Sequence, residues 1–240
     1  MIATMPTVDL KLGGMLVPAA DLRSLTAVNV MQRLSQPTLC ELVFSDPPGP
    51  LTVAAEVKTG TPLEVHVSGQ ATELFRGEVT AREYQHAAGG ERTVRLRAYD
   101  ALHRLRLRHH VRTFAQMDAV DIARELLEPL GLEVEAFDSG PLREHVLQFQ
   151  QSDLDLVCRL LAEAGLHLSV RGSRAQIFSS AGTGDAVSLT IDENLLDARV
   201  EVNSETACSA VDARGWHPLL VASLGAVSYT HLTLPTIYSV

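Results

Sequence analysis

The chain has 240 residues, of which 46% are hydrophobic and 20% charged, enough to bury a sizeable core and too apolar for a disordered protein. A formal charge of −9 excludes a globally basic nucleic-acid or anionic-membrane binder. Three cysteines, Cys40, Cys158 and Cys208, stand far apart with no C-x-x-C pair, which excludes a disulfide framework and a zinc knuckle.

The first hundred residues read as strand after strand. Thr7–Leu12, Leu22–Met31 and Thr38–Phe44 are short β-branched or alternating runs, cut by Gly13-Gly14 and by the Pro-rich stretch Asp46–Pro50. Pro62–Ser68 alternates, with Leu63, Val65 and Val67 on one face and Glu64, His66 and Ser68 on the other. Glu73–Gln85 and Glu91–Tyr99 flank Ala87-Ala88-Gly89-Gly90 as a long hairpin. Antiparallel β with turns at roughly every 8–12 positions predicts a small barrel or sandwich.

Helical periodicity follows. Asp118 precedes a run in which Val120, Ile122, Ala123, Leu126 and Leu127 form an apolar side, closing near Pro129 and Gly131. Ser152 and Asp155 have the capping-box spacing, and Leu154, Val157, Leu160 and Leu161 predict a helix over Asp153–Ala164. Leu166–Arg171 and Ala175–Ser179 predict a hairpin around Gly172-Ser173, so the middle third is a compact α+β unit. Leu195–Val202 and Ala207–Gly215 return to strand, and beyond Arg214 no charged residue occurs again.

Few residues suggest chemistry. There is no H-E-x-x-H, G-x-S-x-G, phosphate-loop or dinucleotide signature. The adjacent His109 and His110 point in different directions and cannot chelate one ion unaided. Cys158 sits among apolar helix positions and reads as a packed thiol, while Asp153 with Asp155, and Asp192 with Glu193, are explained by capping and turns. The expectation is no catalytic, cofactor-binding or metal-ligating residue, and no cofactor. The segment Arg92–Arg112 holds seven arginines and one acid, Asp100. A solvated face explains it, as does contact with an acidic partner; nucleic acid fits less well because no aromatic platform is interleaved. Arg95, Arg97, Arg104, Arg106, Arg108 and Arg112 are the candidate interface with an acidic partner or a neighbouring subunit.

Three segments carry a resemblance: Phe75-Arg76-Gly77-Glu78-Val79, the run Val94–Leu105 around Ala98-Tyr99-Asp100, and the run Gln151–Gly165. In order and spacing they resemble the hub part of VgrG spike proteins, phage late-control D proteins and baseplate hubs of contractile tails. Gly215-Trp216-His217-Pro218 is similar to the family's Gly-Trp-Asp-Pro, with His217 in place of Asp. The resemblance implies a β-rich α+β fold: a tube-type β-barrel domain over residues 1–100, an α/β inserted unit over 101–190, and the incomplete start of a second tube-type domain over 191–226. Residues 227–240 resemble the read-through of a sequencing adapter, and the chain reads as the N-terminal portion of a longer protein.

The same resemblance implies a structural component without enzymatic activity. It would form a homotrimer joining a hexameric inner tube protein to a threefold spike or spike-tip protein, in a phage tail, a type VI secretion system or a related particle. Neither nucleic-acid recognition nor a membrane anchor is expected. The location would be the bacterial cytoplasm during assembly, then the virion or injection particle, with outward delivery on contraction. The alternatives are a stand-alone hub-like module that binds a peptide or glycan, and a hydrolase with an unrecognised site.

Overall fold

The computed structural model describes residues 8–46, 57–69, 73–191, 193–195, 197, 210–217 and 221–229. Residues 1–184 form one compact unit and residues 185–240 a second.

In the first unit, seven strands make one antiparallel sheet: β1 (Val8–Leu12), β2 (Met15–Leu16), β3 (Leu25–Met31), β4 (Leu39–Ser45), β5 (Pro62–Val67), β6 (Glu73–His86) and β7 (Arg92–Tyr99). Their spatial order is β2-β1-β5-β6-β7-β4-β3. The sheet is a curled half-barrel. Register shifts at Leu25/Ala27, Val65/His66 and Val79/Ala81 mark bulges that bend the strands and increase their twist. Alternation decides the faces: Leu63 and Val65, Val94, Leu96 and Ala98 line the concave core with Leu42 and Phe44. The start of β3 differs from the expected Leu22–Met31, and the short β2 has no counterpart among the expected strands. Pro18 opens a one-turn helix, α1 (Ala19–Leu22), and the Ser24 hydroxyl donates to the Asp21 carbonyl at 2.6 Å before the strand begins.

A second core begins at Leu102 and runs to Ile177. Its elements are α2 (His103–Arg106), β8 (Arg112–Met117), α3 (Ala119–Leu127), β9 (Glu133–Ala136), β10 (Arg143–Gln148), α4 (Asp153–Glu163), β11 (Leu166–Arg171) and β12 (Arg174–Ser179). Asp118 caps α3, its Oδ1 accepting from the amides of Val120 and Asp121 at 2.8 Å each. Ser152 and Asp155 form the expected capping box at α4. Leu154, Val157, Leu160 and Leu161 are buried as the spacing requires, and Leu156 joins them. The hairpin β11–β12 is also as expected, and β9 adds to it in parallel on the β12 side. β8 pairs with β10 in a separate two-stranded sheet.

The second unit contains one described hairpin, β13 (Ala210–His217) with β14 (Ala222–Tyr229), in register from Ala210↔Tyr229 to His217↔Ala222. The expected strand Leu195–Val202 lies almost wholly outside the described residues, as do residues 230–240 of the tail. Val227–Tyr229 do find a partner strand, but it precedes them in the chain.

Candidate functional site

The arginine-rich segment does not form one face. Inward Val94, Leu96 and Ala98 send Arg95 and Arg97 to the outer surface of β7, where their surroundings differ. Arg95 reaches neighbouring strands on both sides, with Nε 2.7 Å from Glu41 and Nη1 3.5 Å from Glu83. Arg104, on α2, is bidentate to Glu78 of β6 at 3.1 and 2.6 Å. Arg106 lies over the Tyr99 ring at 5.5 Å. Arg97, Arg106 and Arg108 make no ion pair among the described residues, in contrast to Arg95, Arg104 and Arg112.

Arg112 belongs to a buried polar network at the start of α4. Its Nη2 donates to Asp153 at 2.7 Å and its Nε to Gln148 Oε1 at 2.7 Å. Gln148 Nε2 donates to the same Asp153 oxygen at 2.8 Å, and His110 Nδ1 lies 3.4 Å away. The amide of Asp153 donates to the Arg108 carbonyl at 2.9 Å. A carboxylate in the first turn complements the helix dipole, and Arg112 supplies the positive charge that burial demands. The network therefore pins the end of the arginine segment to α4.

The two cores meet along a polar seam. Asp100 accepts from the Thr38 amide at 2.8 Å and from the Leu102 amide at 3.0 Å, closing the turn from β7 into α2. Burial pushes its carboxyl above the ordinary aspartate value. The loop after β3 docks on β11: Gln32 Nε2 donates to the Val170 carbonyl at 3.0 Å, and the Ser35 amide to the Leu168 carbonyl at 2.7 Å. Cys158 Sγ lies 3.1 Å from the Ser35 carbonyl. Two cavities of about 200 and 220 Å³ open on the seam and share Arg76 and Gly172 in their walls. Both are smaller than the ~300 Å³ at which sites for drug-sized ligands begin.

One cluster escaped the sequence reading. β5 and β6 place donor atoms of Glu64, His66 and Glu73 within 4.8 Å of one another. Its only signal in the chain is Glu-x-His on an alternating strand. Arg76 is bidentate to Glu73, with Nε 3.1 Å from Oε1 and Nη2 2.6 Å from Oε2, and 3.3 Å from Glu64, while Lys11 lies 3.2 Å from Glu64. With both carboxylates already neutralised, the arrangement is an ion-pair network across three strands. Neither cysteine among the described residues favours a thiolate: burial raises the Cys158 thiol, and burial with Glu41 nearby pushes Cys40 up to about 12.

Phe75-Arg76-Gly77 has a structural explanation in the seam. A Cβ on Gly77 would overlap the Tyr99 carbonyl and the Phe75 ring, so only glycine lets β6 pass β7 here. These motif positions lie within residues 32–190, which match the model of the phage tail baseplate hub (GPD) family. The chain belongs to that family. The Vibrio cholerae protein "Actin cross-linking toxin VgrG1" is 31% identical over 137 residues, 55% of this chain and 12% of the toxin. Among solved structures, the prophage MuSo2 43 kDa tail protein of Shewanella oneidensis aligns with a TM-score of 0.66 at 17% identity, over 86% of this chain and 66% of that one. A tail protein of Neisseria meningitidis aligns at 0.63 and 15% identity, over 96% and 68% of the two chains. The Escherichia coli c3393 protein, described as a component of the type VI secretion system, aligns at 0.56 and 17% identity, over 76% and 52%.

The family is that of the phage tail baseplate hub, a structural tail component, and this half-barrel with its α/β partner has the fold of the solved tail proteins. Actin cross-linking is named of the Vibrio protein, of which this chain spans 12%. Among the described residues no helix is long and apolar enough to cross a membrane.

Proposed function

We propose that this chain is the hub portion of a baseplate spike, trimerising so that one end docks on a hexameric inner tube protein and the other continues into a threefold spike. The observation that carries the reading is the family match over residues 32–190, which takes in the whole α/β core and most of the half-barrel core. The half-barrel of residues 1–100 serves as a tube-type domain, residues 101–190 as the α/β unit packed on it, and residues 191–226 as the start of a second tube-type domain. Two similar domains from each of three chains give six similar positions, which is how a threefold object meets a sixfold ring.

Of the six candidate arginines, Arg97, Arg106 and Arg108 serve as the contacts to the tube or to a neighbouring subunit. Arg95, Arg104 and Arg112 act through the acids they already hold. Assembly takes place in the bacterial cytoplasm, and the hub leaves with the particle. Sedimentation of the purified chain tests the reading, together with capture of the cognate tube protein. A mass rising toward three chains with concentration, and capture weakened by Arg106→Glu with Arg108→Glu, are expected. A chain that stays monomeric at every concentration and ignores the tube protein overturns it.

A further inference from the structure

The two-stranded sheet of β8 and β10 has one face in the core and one in water. Phe114 opposes Val146 and Arg112 opposes Gln148, and this set faces the helices. The intervening pair, Thr113 with Leu147, points the other way, and continuing the register sets Phe149 across from Val111. Leu147 is 59% exposed, Phe149 56% and Val111 74%, and Leu107, the C-cap of α2, 72%. Single exposed apolar residues are ordinary, but a cluster of large ones on one ladder marks a surface that is covered in use.

Charge identifies the cover. Leu107 lies beside Arg108, which makes no ion pair among the described residues, whereas Arg106 stacks over Tyr99 and acts on the buried Asp100. Elsewhere on the same unit, α3 and the turn after it carry Asp121, Glu125 and Glu128 at helical spacing on the exposed side. Only Arg124 offsets them, paired to Asp121 at 3.1 Å. Beside this stripe, Asp138 and the exposed Phe137 line a shallow depression together with Asp121. One chain thus presents an apolar face with a basic flank and, on different elements, an acidic stripe with an exposed aromatic. Closed rings built head to tail require two unlike, complementary patches on each subunit, and opposite charge sets their register.

We propose that the outer face of β8–β10 docks on the α3 stripe of a second copy of this chain. The proposal rests on the assembly reading above and gives it an interface.

Two variants of the full chain test it by sedimentation. Leu147→Asp with Phe149→Asp breaks the apolar face; Glu125→Lys with Glu128→Lys breaks the stripe. Each is expected to weaken self-association about a hundredfold, as loss of a central interface anchor does, without shifting the melting temperature. An equimolar mixture of the two is expected to form dimers, because one intact copy of each patch remains. If the aspartates lower the melting temperature, Leu147→Ser with Phe149→Ser carries the same comparison. Wild-type chain that associates while both variants associate equally well overturns this interface and leaves the assembly reading standing. Wild-type chain that never associates overturns both. A mixture that stays monomeric shows that the face does not meet the stripe.

Discussion

Ser35 and Leu168, 133 residues apart, are joined twice: the Ser35 amide donates to the Leu168 carbonyl at 2.7 Å, and the Leu168 amide donates to Ser35 Oγ at 3.2 Å. The loop after β3 thereby pairs with β11 as a strand would, and the half-barrel and the α/β unit behave as one body. Ser35 holds a left-handed backbone, φ 56°, to do so. Ser35→Ala is expected to destabilise the chain by about 1–2 kcal/mol, since it orphans an amide and keeps the strain. Ser35→Gly loses the same bond but relieves the backbone, so it should cost less. Urea midpoints give the order; Gly costing more than Ala would show that the left-handed backbone at Ser35 holds no strain for glycine to relieve.

Gly77 sets how closely β6 approaches the end of β7. Gly77→Ala drives a methyl into the Tyr99 carbonyl and the Phe75 ring, neither of which can retreat from the packed sheet. A loss of ~2–4 kcal/mol is expected, at the upper end for overpacking because one of the atoms met is backbone. Thermal melting within about 1 °C of wild type would refute the steric account.

Much of this architecture was legible in the chain because short-range signals agree with the final packing. Leu63-Glu64-Val65-His66 alternates and lies half-buried as written, and Ser152 with Asp155 announces α4 before its leucines confirm it. Partners distant in the chain left no such trace. Arg95 looks like one charge in a basic strip until β4 and β6 bring Glu41 and Glu83 beside it. β9 has four residues, too few to show a period, and forms only because β12 arrives in parallel alongside. The Arg112–Asp153–Gln148 network likewise depends on β8, β10 and α4 meeting, which spacing along the chain does not encode.

That network yields a sharper expectation than the helix cap alone. Asp153→Ala removes the shared acceptor of Arg112 and Gln148, and Gln148 is fully buried. A cost of about 3 kcal/mol is expected, near that of breaking a buried pair. Arg112→Ala should cost less, because the arginine is partly exposed and Asp153 keeps Gln148. A double-mutant cycle should return a coupling of at least ~1 kcal/mol. A coupling near zero would mean that Arg112 and Asp153 hold their places independently.

Leu161 tests the core beneath α4. It is completely buried among Leu156, Val157 and Leu160. Leu161→Ala should cost ~2–5 kcal/mol through lost transfer energy and the cavity left behind, and Leu161→Asp should unfold the α/β core. A soluble Leu161→Asp protein with wild-type melting would place the helix face elsewhere.

The Glu78–Arg104 pair predicts how the seam responds to acid. Hydrogen bonds from Arg104 hold the Glu78 carboxyl below the ordinary glutamate value. A lowered folded-state value means that the stabilisation is complete above the unfolded carboxylate range and is lost as pH falls through the lowered value. Glu64, lowered mainly by Lys11, and Glu163, lowered mainly by Arg159, act in the same direction. Asp100 acts oppositely: burial raises it, so its contribution is complete below the unfolded aspartate value and declines as pH rises through the raised one. Arg104 is half exposed, so the Glu78 pair is worth no more than about 1 kcal/mol. Glu78→Gln should therefore be slightly less stable than wild type at neutral pH, with the difference shrinking as acid protonates Glu78 in the folded state. Urea titrations from neutral pH into acid make the comparison, and a difference that persists unchanged into acid would show that the charge on Glu78 contributes nothing to holding the seam.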